Sequence, residues 1–523
     1  MTRFSRRLAL TALALCITPA ALTAQSSLAA VVSELKIDQG LGGFDGSLLG
    51  DTGFGSDIAD IGDVDGNGVT DLAMGCGNQN DRRGTLWILF MDSDGSVLAE
   101  QQIAEGLGGF TTDLPSGSNE FGGGVARVGD VNGDGVPDLA MATAIPESVW
   151  ILMLESNGTV GDIVEIPYSA LIPGSGIDPS LASVGDIDGN GTQDLALRLP
   201  WGNGFAVHAT LLLLLDTDGS LLNSVPLSAA ADPALATSAF LGAVGDLDDN
   251  GVTELAYAVS GDFRIAFLAA DGSVINTAVI AGGTGGLQAP INPSHVAPLG
   301  DVDGDGVPDI AMSRQISNTV WLLSMNADGT LRSSERIGPG EGGFGGALSA
   351  TDSFGSALCS LGDLDGDGTH ELAVGANGTA FIPGMFPGII RKGALWVLSL
   401  QTTWFDQGFE LAGAGDAPLL VGEGSLAGGS ALSVSISGGI PSANVLLFTG
   451  ASAIDAPFKQ GVLVPAPDIA NVFSYNASGE LNLVTHWPEG VPSGARFFLQ
   501  AWHLDAGAPA GFAGSNAVLG QTP

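Results

Sequence analysis

The chain has 523 residues and a formal net charge of −41, from 16 Lys and Arg against 57 Asp and Glu. A nucleic-acid-binding protein needs a basic surface, so this acidic balance excludes that class of function. Hydrophobic residues make up 45% of the chain, which is enough for a large core. The 80 glycines and 26 prolines predict many tight turns between short strands.

The N-terminus has the pattern of an export signal. Three arginines within the first seven residues precede a short apolar core, Leu8 to Ile17, and small residues follow it. The core is shorter than the roughly 20 residues of a membrane span. We therefore predict a signal peptide over residues 1–24, with cleavage after Ala24 or as late as Ala30. The mature chain is then secreted, extracellular or at the cell surface, and has no transmembrane segment.

An acidic nine-residue stretch occurs six times between residues 63 and 371. The copies are DVDGNGVTD (63–71), DVNGDGVPD (130–138), DIDGNGTQD (186–194), DLDDNGVTE (246–254), DVDGDGVPD (301–309) and DLDGDGTHE (363–371). Their first residues are 67, 56, 60, 55 and 62 positions apart. This period is too long for a helical solenoid unit and is typical of one four-stranded propeller blade with its loops.

Each repeat predicts four strands. In the first repeat, FGSDIADIG leads into the acidic stretch and DLAMG leads out of it. The segments TLWILFMD and VLAEQQIAE then follow, on the two sides of a DSDGS turn. Apolar alternation and β-branched residues favour strands over helices throughout.

The sixth repeat ends at ALWVLSL without a fourth strand directly after it. The N-terminal segment SELKIDQGLGGF resembles AEQQIAEGLGGF and SSERIGPGEGGF, which contain fourth strands. Ser33 to Ile37 is therefore predicted to be the outer strand of blade six, closing the ring and removing free sheet edges. The predicted fold class is all-β, a six-bladed β-propeller over residues 31–403. A seven-bladed propeller, with the last blade built from Thr402 to Val421, is the alternative.

These motifs resemble the FG-GAP repeat of integrin alpha-chain propellers and of many bacterial secreted proteins. The resemblance rests on FG before strand one, GD opening the acidic stretch, D-x-D/N-G-D/N-G within it and D-L-A-x-G closing it. It extends from Ser33 to about Leu400. FG itself stands only in repeats one, two and six, at Phe54-Gly55, Phe121-Gly122 and Phe354-Gly355.

The acidic stretches offer the ligands that calcium prefers. Ca²⁺ takes six to eight oxygens, and a loop can supply them from positions 1, 3, 5 and 9 and the carbonyl of position 7, with glycine at position 6 for the turn. The predicted ligands of up to six structural ions are Asp63, Asp65, Asn67, Val69, Asp71, Asp130, Asn132, Asp134, Val136, Asp138, Asp186, Asp188, Asn190, Thr192, Asp194, Asp246, Asp248, Asn250, Val252, Glu254, Asp301, Asp303, Asp305, Val307, Asp309, Asp363, Asp365, Asp367, Thr369 and Glu371.

Other interpretations of these stretches are weaker. An EF-hand needs Glu at position 12, where Met74 stands inside a predicted strand. A run of solvated acidic turns explains the Asp and Gly enrichment but not the same spacing six times. A catalytic carboxylate pair is least favoured, because each Asp would already be engaged by a metal or by a turn.

Recognition is predicted on the face opposite the acidic stretches, where the loops between strands two and three meet the interblade loops. The ligand patch predicted there consists of Arg82, Arg83, Trp201, Phe386, Arg391 and Lys392. Ordinary solubilising surface side chains explain these residues equally well.

Repeated tryptophans and two cysteines are assigned to the interior. The residues Trp87, Trp150, Trp321 and Trp396 occupy one repeated strand position, so they are interpreted as inter-blade core and not as sugar platforms. Cys76 and Cys359 fall in blades one and six, which are neighbours in a closed ring. They are interpreted as buried thiols, with a cross-link of the seam as the alternative.

After roughly Thr403 the acidic stretches stop. Short alternating strands such as ALSVSISG, ANVLLFTG and ARFFLQAWHLD predict a β-sandwich domain over residues 404–523. It resembles the small domains that end many bacterial secreted repeat proteins.

Three functions stay open at this point. The first is a non-catalytic binding or adhesion module for an extracellular protein or glycan. The alternatives are a secreted enzyme acting on a polysaccharide or phosphoester, and a lectin. The sequence contains no G-x-S-x-G, phosphate loop or Cys/His nucleophile arrangement, which favours the first.

Overall fold

The computed structural model describes residues 18–19, 29–48, 53–77, 84–114, 121–171, 179–199, 209–227, 235, 238, 240–259, 261–284, 287, 291, 293–303, 306–314, 317–364, 366, 369–378, 393–401, 403–415, 417–423, 426, 431–488, 490–492 and 494–522. Their regular secondary structure is almost entirely β-strand. Their helices are α1 (Tyr168–Leu171) and a 3-10 turn (Pro509–Gly511). Within these ranges, no helix has the length and apolarity that a membrane crossing requires.

Two strands, β1 (Thr18–Pro19) and β2 (Ala30–Ile37), precede the repeats, and the repeats form six four-stranded antiparallel sheets. Sheet 1 contains β3 (Asp57–Gly62), β4 (Asp71–Cys76), β5 (Thr85–Met91) and β6 (Val97–Ile103). Sheet 2 contains β7 (Val125–Gly129), β8 (Asp138–Thr143), β9 (Ser148–Leu154) and β10 (Val160–Pro167). Sheet 3 contains β11 (Ser180–Gly185), β12 (Asp194–Leu199), β13 (Ala209–Leu215) and β14 (Leu221–Pro226). Sheet 4 contains β15 (Leu241–Ala243), β16 (Leu255–Val259), β17 (Asp262–Leu268) and β18 (Val274–Ile280). Sheet 5 contains β19 (Val296–Gly300), β20 (Asp309–Arg314), β21 (Thr319–Met325) and β22 (Leu331–Ile337). Sheet 6 contains β23 (Phe354–Gly362), β24 (Glu371–Ala376), β25 (Ala394–Gln401) and β2.

The N-terminal strand β2 completes the last of these sheets. It pairs antiparallel with β25, with Ser33 opposite Ser399 and Ile37 opposite Leu395. The predicted pairing of Ser33 to Ile37 with the sixth repeat is therefore confirmed. A strand from the start of the chain occupies the outer position that a hairpin supplies in sheets 1 to 5.

The six sheets pack side by side through their faces. The first strands contact one another in series, β3 with β7, β7 with β11, β11 with β15, β15 with β19, β19 with β23 and β23 with β3. Each neighbouring pair shares one hydrophobic core. Sheet 6 meets sheet 1 in the same way, since Ile37 and Val397 lie in one cluster with Met74 and Trp87.

Three aromatic triads lie between sheets and account for the FG and GGF motifs. Phe44 lies 4.9 Å from Phe54 and 5.1 Å from Trp87, measured between ring centroids. The same triad recurs as Phe110, Phe121 and Trp150, and as Phe344, Phe354 and Trp396. Edge-to-face and tilted ring pairs of this kind stabilise a core beyond the area they bury. The four repeated tryptophans are buried, at 2–7% exposure, which confirms their assignment to the core.

The glycines before Phe44 bring two sheets into backbone contact. The Val97 amide at the start of β6 donates to the Gly42 carbonyl at 2.9 Å, and a Cβ on Gly43 would lie 2.0 Å from the Val97 carbonyl oxygen. The same amide-to-glycine bond recurs at Val160 with Gly108 and at Val31 with Gly342. Only glycine permits this approach at a positive φ.

The strands after the repeats, together with β1, form a separate pair of sheets and a hairpin. Because β1 lies within the predicted signal peptide, a chain cleaved after Ala24 would keep sheet 7 as β27, β28 and β33. Sheet 7 contains β27 (Leu419–Glu423), β28 (Ala431–Ser437), β33 (Leu481–His486) and β1, and sheet 8 contains β26 (Trp404–Asp406), β29 (Asn444–Gly450), β32 (Ile469–Ser474), β34 (Arg496–Leu504) and β35 (Phe512–Gln521). The hairpin is β30 (Ala453–Phe458) with β31 (Gly461–Pro465). Sheets 7 and 8 share one core that includes Trp404, Trp487 and Phe497.

The alternative seventh blade over Thr402 to Val421 is wrong for the residues of that stretch that the structure describes. Its two strands belong to the C-terminal sheets, because β26 pairs with β35 and β27 pairs with β28. Alternating apolar residues predict strands without naming their partners, so the pattern fitted either pairing. The domain boundaries themselves stay predictions.

Replacing Gly43 by Ala tests the contact between sheets 6 and 1. The new Cβ would meet the Val97 carbonyl, so we expect the free energy of unfolding to fall by about 2 kcal/mol or more beyond the effect of a left-handed φ alone. Gly40→Ala is the matched control, because Gly40 has φ +83 and no atom within 4 Å of its added Cβ. It should lose only about 1–2 kcal/mol. Guanidinium denaturation measures both, and equal losses in the two variants would contradict the proposed contact.

Candidate metal centres

The acidic stretches form the loops between the first and second strands of sheets 1 to 6, here called acidic loops 1 to 6. The position-1 carboxylate organises each turn. Asp63 accepts hydrogen bonds from the Asn67 amide at 2.9 Å and from the Gly68 amide at 2.8 Å. The position-6 glycine donates to the position-1 carboxylate at 2.8 Å in each of loops 1 to 5. An Asp side chain that accepts hydrogen bonds from backbone amides a few residues later in the chain favours such a turn over a continued strand.

The position-9 carboxylate is buried and joins three parts of its sheet. Asp71 is fully buried, and its Oδ2 accepts from the Val64 amide at 2.8 Å while its Oδ1 accepts from the Met91 amide at 2.9 Å. Met91 is the last residue of the third strand. Asp138, Asp194 and Asp309 make the same two bonds in their own sheets. A buried carboxylate without such donors would be strongly destabilising.

Position 5 completes a clamp on the end of the third strand. The Asn67 side chain donates from Nδ2 to the Met91 carbonyl at 2.9 Å, while its Oδ1 accepts from the Val69 amide at 2.7 Å. Asn190 and Asn250 do the same towards the carbonyls of Leu215 and Leu268. Loops 1 and 3 therefore hold both the amide and the carbonyl of one third-strand residue.

Four of the loops bring three carboxylates together. In each of them, one oxygen from positions 1, 3 and 9 lies within 4.8 Å of the other two. The triads are Asp63, Asp65 and Asp71; Asp186, Asp188 and Asp194; Asp246, Asp248 and Glu254; and Asp301, Asp303 and Asp309. Two oxygens bound to one Ca²⁺ at 2.3–2.6 Å are at most about 5 Å apart, so the spacing and the all-oxygen donor set fit calcium.

The remaining predicted ligands are placed less completely. Loop 2 has Asn132 in place of the position-3 carboxylate, and its Nδ2 donates to Asp134 at 3.0 Å. Glu371 of loop 6 is buried and accepts from the Leu364 amide at 2.6 Å, with Asp363 and Thr369 in the same loop. Asp305, Asp365 and Asp367 lie outside the described residues.

The position-7 residues anchor the loops to the cores. The side chains of Val69, Val136 and Val307 pack against the clusters between neighbouring sheets, and that of Val252 is buried in one of them. Thr192 and Thr369 are also buried. Their carbonyl oxygens stay predicted ligands.

Burial raises the pKa values of the position-9 carboxyl groups. It raises the pKa of both Asp71 and Asp138 to about 6, although three backbone amides act on each in the opposite direction. It raises the pKa of Glu254 to about 7, and together with the charge of Asp303 it raises the pKa of Asp309 to about 8. A bound cation would favour the charged forms of these groups.

Two stretches of the chain match a known repeat family. Residues 130–197 and 301–374 match the FG-GAP-like repeat. The chain contains FG-GAP-like repeats. These stretches run from acidic loop 2 into the second strand of sheet 3, and from acidic loop 5 into the second strand of sheet 6. Each therefore includes two acidic loops and the sheet contact between them.

Two other predictions concern residues away from the acidic loops. The ligand patch, Arg82, Arg83, Trp201, Phe386, Arg391 and Lys392, lies entirely outside the described residues. Cys76 and Cys359 are both buried and unpaired in the core between sheets 6 and 1, which confirms the assignment as thiols. Burial raises the pKa of the Cys76 thiol well above its usual range.

The sequence pattern did not identify the third-strand residues that the loops bind. Met91, Leu154 and Leu215 contribute only backbone groups, which leave no trace in side-chain patterns. One signal was available. The acidic residue at position 9 begins a buried strand, so its carboxylate needs backbone N–H donors. The end of the neighbouring third strand is where such a donor is available.

The raised pKa values predict how the stability of the metal-free protein depends on pH. A carboxyl with a folded pKa above its unfolded value makes the folded state bind more protons, so its stabilisation is lost as pH rises through the folded pKa. Glu254 and Asp309 place this loss in the window between their ordinary pKa values of 4.5 and 3.8 and their folded values of about 7 and about 8. We expect the melting temperature of the metal-free protein to fall across that window. The fall should be shallower in Asp309→Asn, and a melting temperature that rises would contradict the prediction.

Proposed function

We propose that the chain is a secreted, non-catalytic binding or adhesion module, built as a closed six-bladed β-propeller with calcium in its acidic loops and followed by a β-sandwich domain. The serial contacts of the six first strands and the six shared cores support the ring. The common core of sheets 7 and 8 supports the sandwich. The FG-GAP-like matches fit this architecture.

One observation carries the proposal that the metal is structural. The carboxylates that group around each candidate site also hold the loop and the end of the third strand through backbone hydrogen bonds. An ion placed among them would therefore hold three strands of one sheet together. Without an ion, three or four carboxylates repel one another in each loop.

The same bonds argue against catalysis by these carboxylates. A general acid or base must be free to contact a substrate and to exchange its proton. The four position-9 aspartates are buried with both oxygens bound to backbone amides; they are Asp71, Asp138, Asp194 and Asp309. The acidic loops therefore fit a stabilising role better than a reactive one.

Export is consistent with weak calcium sites. Extracellular modules bind calcium with dissociation constants of about 10⁻⁴–10⁻³ M, which match calcium levels outside cells. The N-terminal pattern of arginines, apolar core and small residues supports a signal peptide over residues 1–24. A bacterial secreted protein of the FG-GAP type is the class that this combination favours.

Calcium removal should destabilise the protein. We expect a chelator to lower the melting temperature by roughly 5 °C or more, because each bound ion stabilises the folded state by mass action. Asp186→Asn, at position 1 of loop 3, should lose one bound calcium and part of the calcium-induced rise in melting temperature. Asp218→Asn is the matched control, an exposed Asp in a turn of the same sheet that accepts from the Ser220 amide. If a chelator leaves the melting temperature unchanged, calcium is not structural.

The ligand is sought on the face opposite the acidic loops, where the interblade loops and the loops between strands two and three are predicted to lie. The predicted patch there combines four cations with Trp201 and Phe386 in a chain of net charge −41. An extracellular protein or a glycan with acidic groups would suit it.

A binding screen identifies the ligand and tests the patch. Glycan and cell-surface protein arrays should give a calcium-supported hit, since calcium keeps the scaffold folded. Joint charge reversal of Arg82, Arg83, Arg391 and Lys392 should weaken that hit at least tenfold, while Arg496→Glu in the C-terminal sheets should not. A hydrolase and lyase panel runs in parallel. Turnover of a polysaccharide or phosphoester would overturn the non-catalytic assignment, and a hit confined to neutral glycans would favour a lectin.

A further inference from the structure

Sheet 5 carries polar residues beside its acidic loop where sheet 1 has apolar ones. Ser324 is the residue before Met325, just as Phe90 is the residue before Met91 in sheet 1. Arg332 follows Leu331 at the bulge that opens the fourth strand. Leu98 holds the equivalent bulge position in sheet 1 and is 56% exposed.

Both polar residues contact one predicted ligand of calcium. The Ser324 hydroxyl is fully buried and donates to Asp303 Oδ2 at 2.5 Å. The Arg332 guanidinium donates to the same oxygen, with 3.2 Å between Nη1 and Oδ2. The Asp303 side chain is only 19% exposed. Asp303 belongs to the loop 5 triad, with its ligand oxygen within 4.8 Å of those of Asp301 and Asp309.

The charge of loop 5 explains why a cation is useful there. Loop 5 has Asp at positions 1, 3, 5 and 9, whereas loop 1 has Asn67 at position 5. Loop 5 therefore carries one more negative charge than loop 1 among its predicted ligands. With the positive charge of Arg332, loop 5 has the same net charge as loop 1.

We propose that the positive charge of Arg332 offsets part of the negative charge of acidic loop 5. The arginine thereby keeps this loop folded with less dependence on calcium and lowers the affinity of the loop for the ion. The inference rests on the proposed calcium role of the loops. It makes loop 5 a weaker calcium site, and one less altered by calcium loss, than the same loop would be without the arginine.

The expected effect of Arg332 on calcium binding follows from the distance between its guanidinium and the bound ion. An exposed ion pair alone contributes little to stability. Here the guanidinium also lies next to a group of like charges, so it relieves their mutual repulsion when calcium is absent. A guanidinium 3.2 Å from one oxygen of the Asp303 carboxylate would be roughly 5 Å from an ion bound by that carboxylate. Repulsion of a divalent ion at that distance, in a water-like medium, weakens binding on the order of tenfold.

Exchanging residues between the two sheets tests the proposal. Arg332→Leu should tighten one calcium site about tenfold and lower the melting temperature of the metal-free protein. Leu98→Arg should weaken one site by a similar factor. Calcium titration calorimetry and metal-free thermal unfolding measure the two effects. Arg332→Lys keeps the charge and should return both quantities most of the way to those of the wild type.

A second background shows whether the effect acts through loop 5. In Asp301→Asn, which removes the position-1 ligand of that loop, Arg332→Leu should no longer change calcium binding. An effect that persists there, or an Arg332→Leu variant with unchanged calcium binding and unchanged metal-free stability, overturns the proposal. A wild-type protein that binds no calcium contradicts the proposed calcium role instead. The metal-free melting temperature of Arg332→Leu then still decides whether Arg332 offsets the charge of loop 5.

Discussion

A carboxylate at the start of a buried strand must find hydrogen-bond donors, and this requirement shapes every repeat that the structure describes. The second strands of sheets 1 to 3 are buried along their whole length, yet each begins with Asp. Asp71 meets the requirement with the Val64 amide from its own loop and the Met91 amide from the third strand. The loop conformation, the position of the third strand and the grouping of acidic oxygens all follow from these two bonds.

Neighbouring sheets are joined by a different set of close contacts. Turns such as the one at Gly43 bring backbone to backbone, and the triads such as Phe44, Phe54 and Trp87 fill the space beside them. These contacts are the same where sheet 6 meets sheet 1 as where sheet 1 meets sheet 2. The strand from the start of the chain therefore replaces a hairpin strand without changing the packing around it.

Repetition does not make the repeats equivalent. Sheets 3 to 5 lack the FG motif, and the Trp321 ring in sheet 5 lies under the Arg336 guanidinium instead of in a triad. Loop 4 places Asp249 at a positive φ where loops 1 to 3 have glycine. Loop 5 adds Arg332 beside its carboxylates. The differences in loops 4 and 5 alter strain or charge in one loop and leave the four-stranded sheet unchanged, so the proposed calcium sites are free to differ in affinity while the scaffold stays constant.

Local and repeated patterns predicted much of this protein. The strands, the acidic turns and the pairing of Ser33 to Ile37 with the last repeat were all readable, because each depends on alternation or on similarity between copies. The tertiary structure alone decided the partners of β26 and β27, the clamp of Asn67 and Asp71 on the Met91 backbone, the unpaired state of Cys76 and Cys359, and the contact of Arg332 with Asp303. These features depend on distances between backbone groups or side chains far apart in the chain. Such distances arise only when the sheets pack, and no local pattern of residues records them.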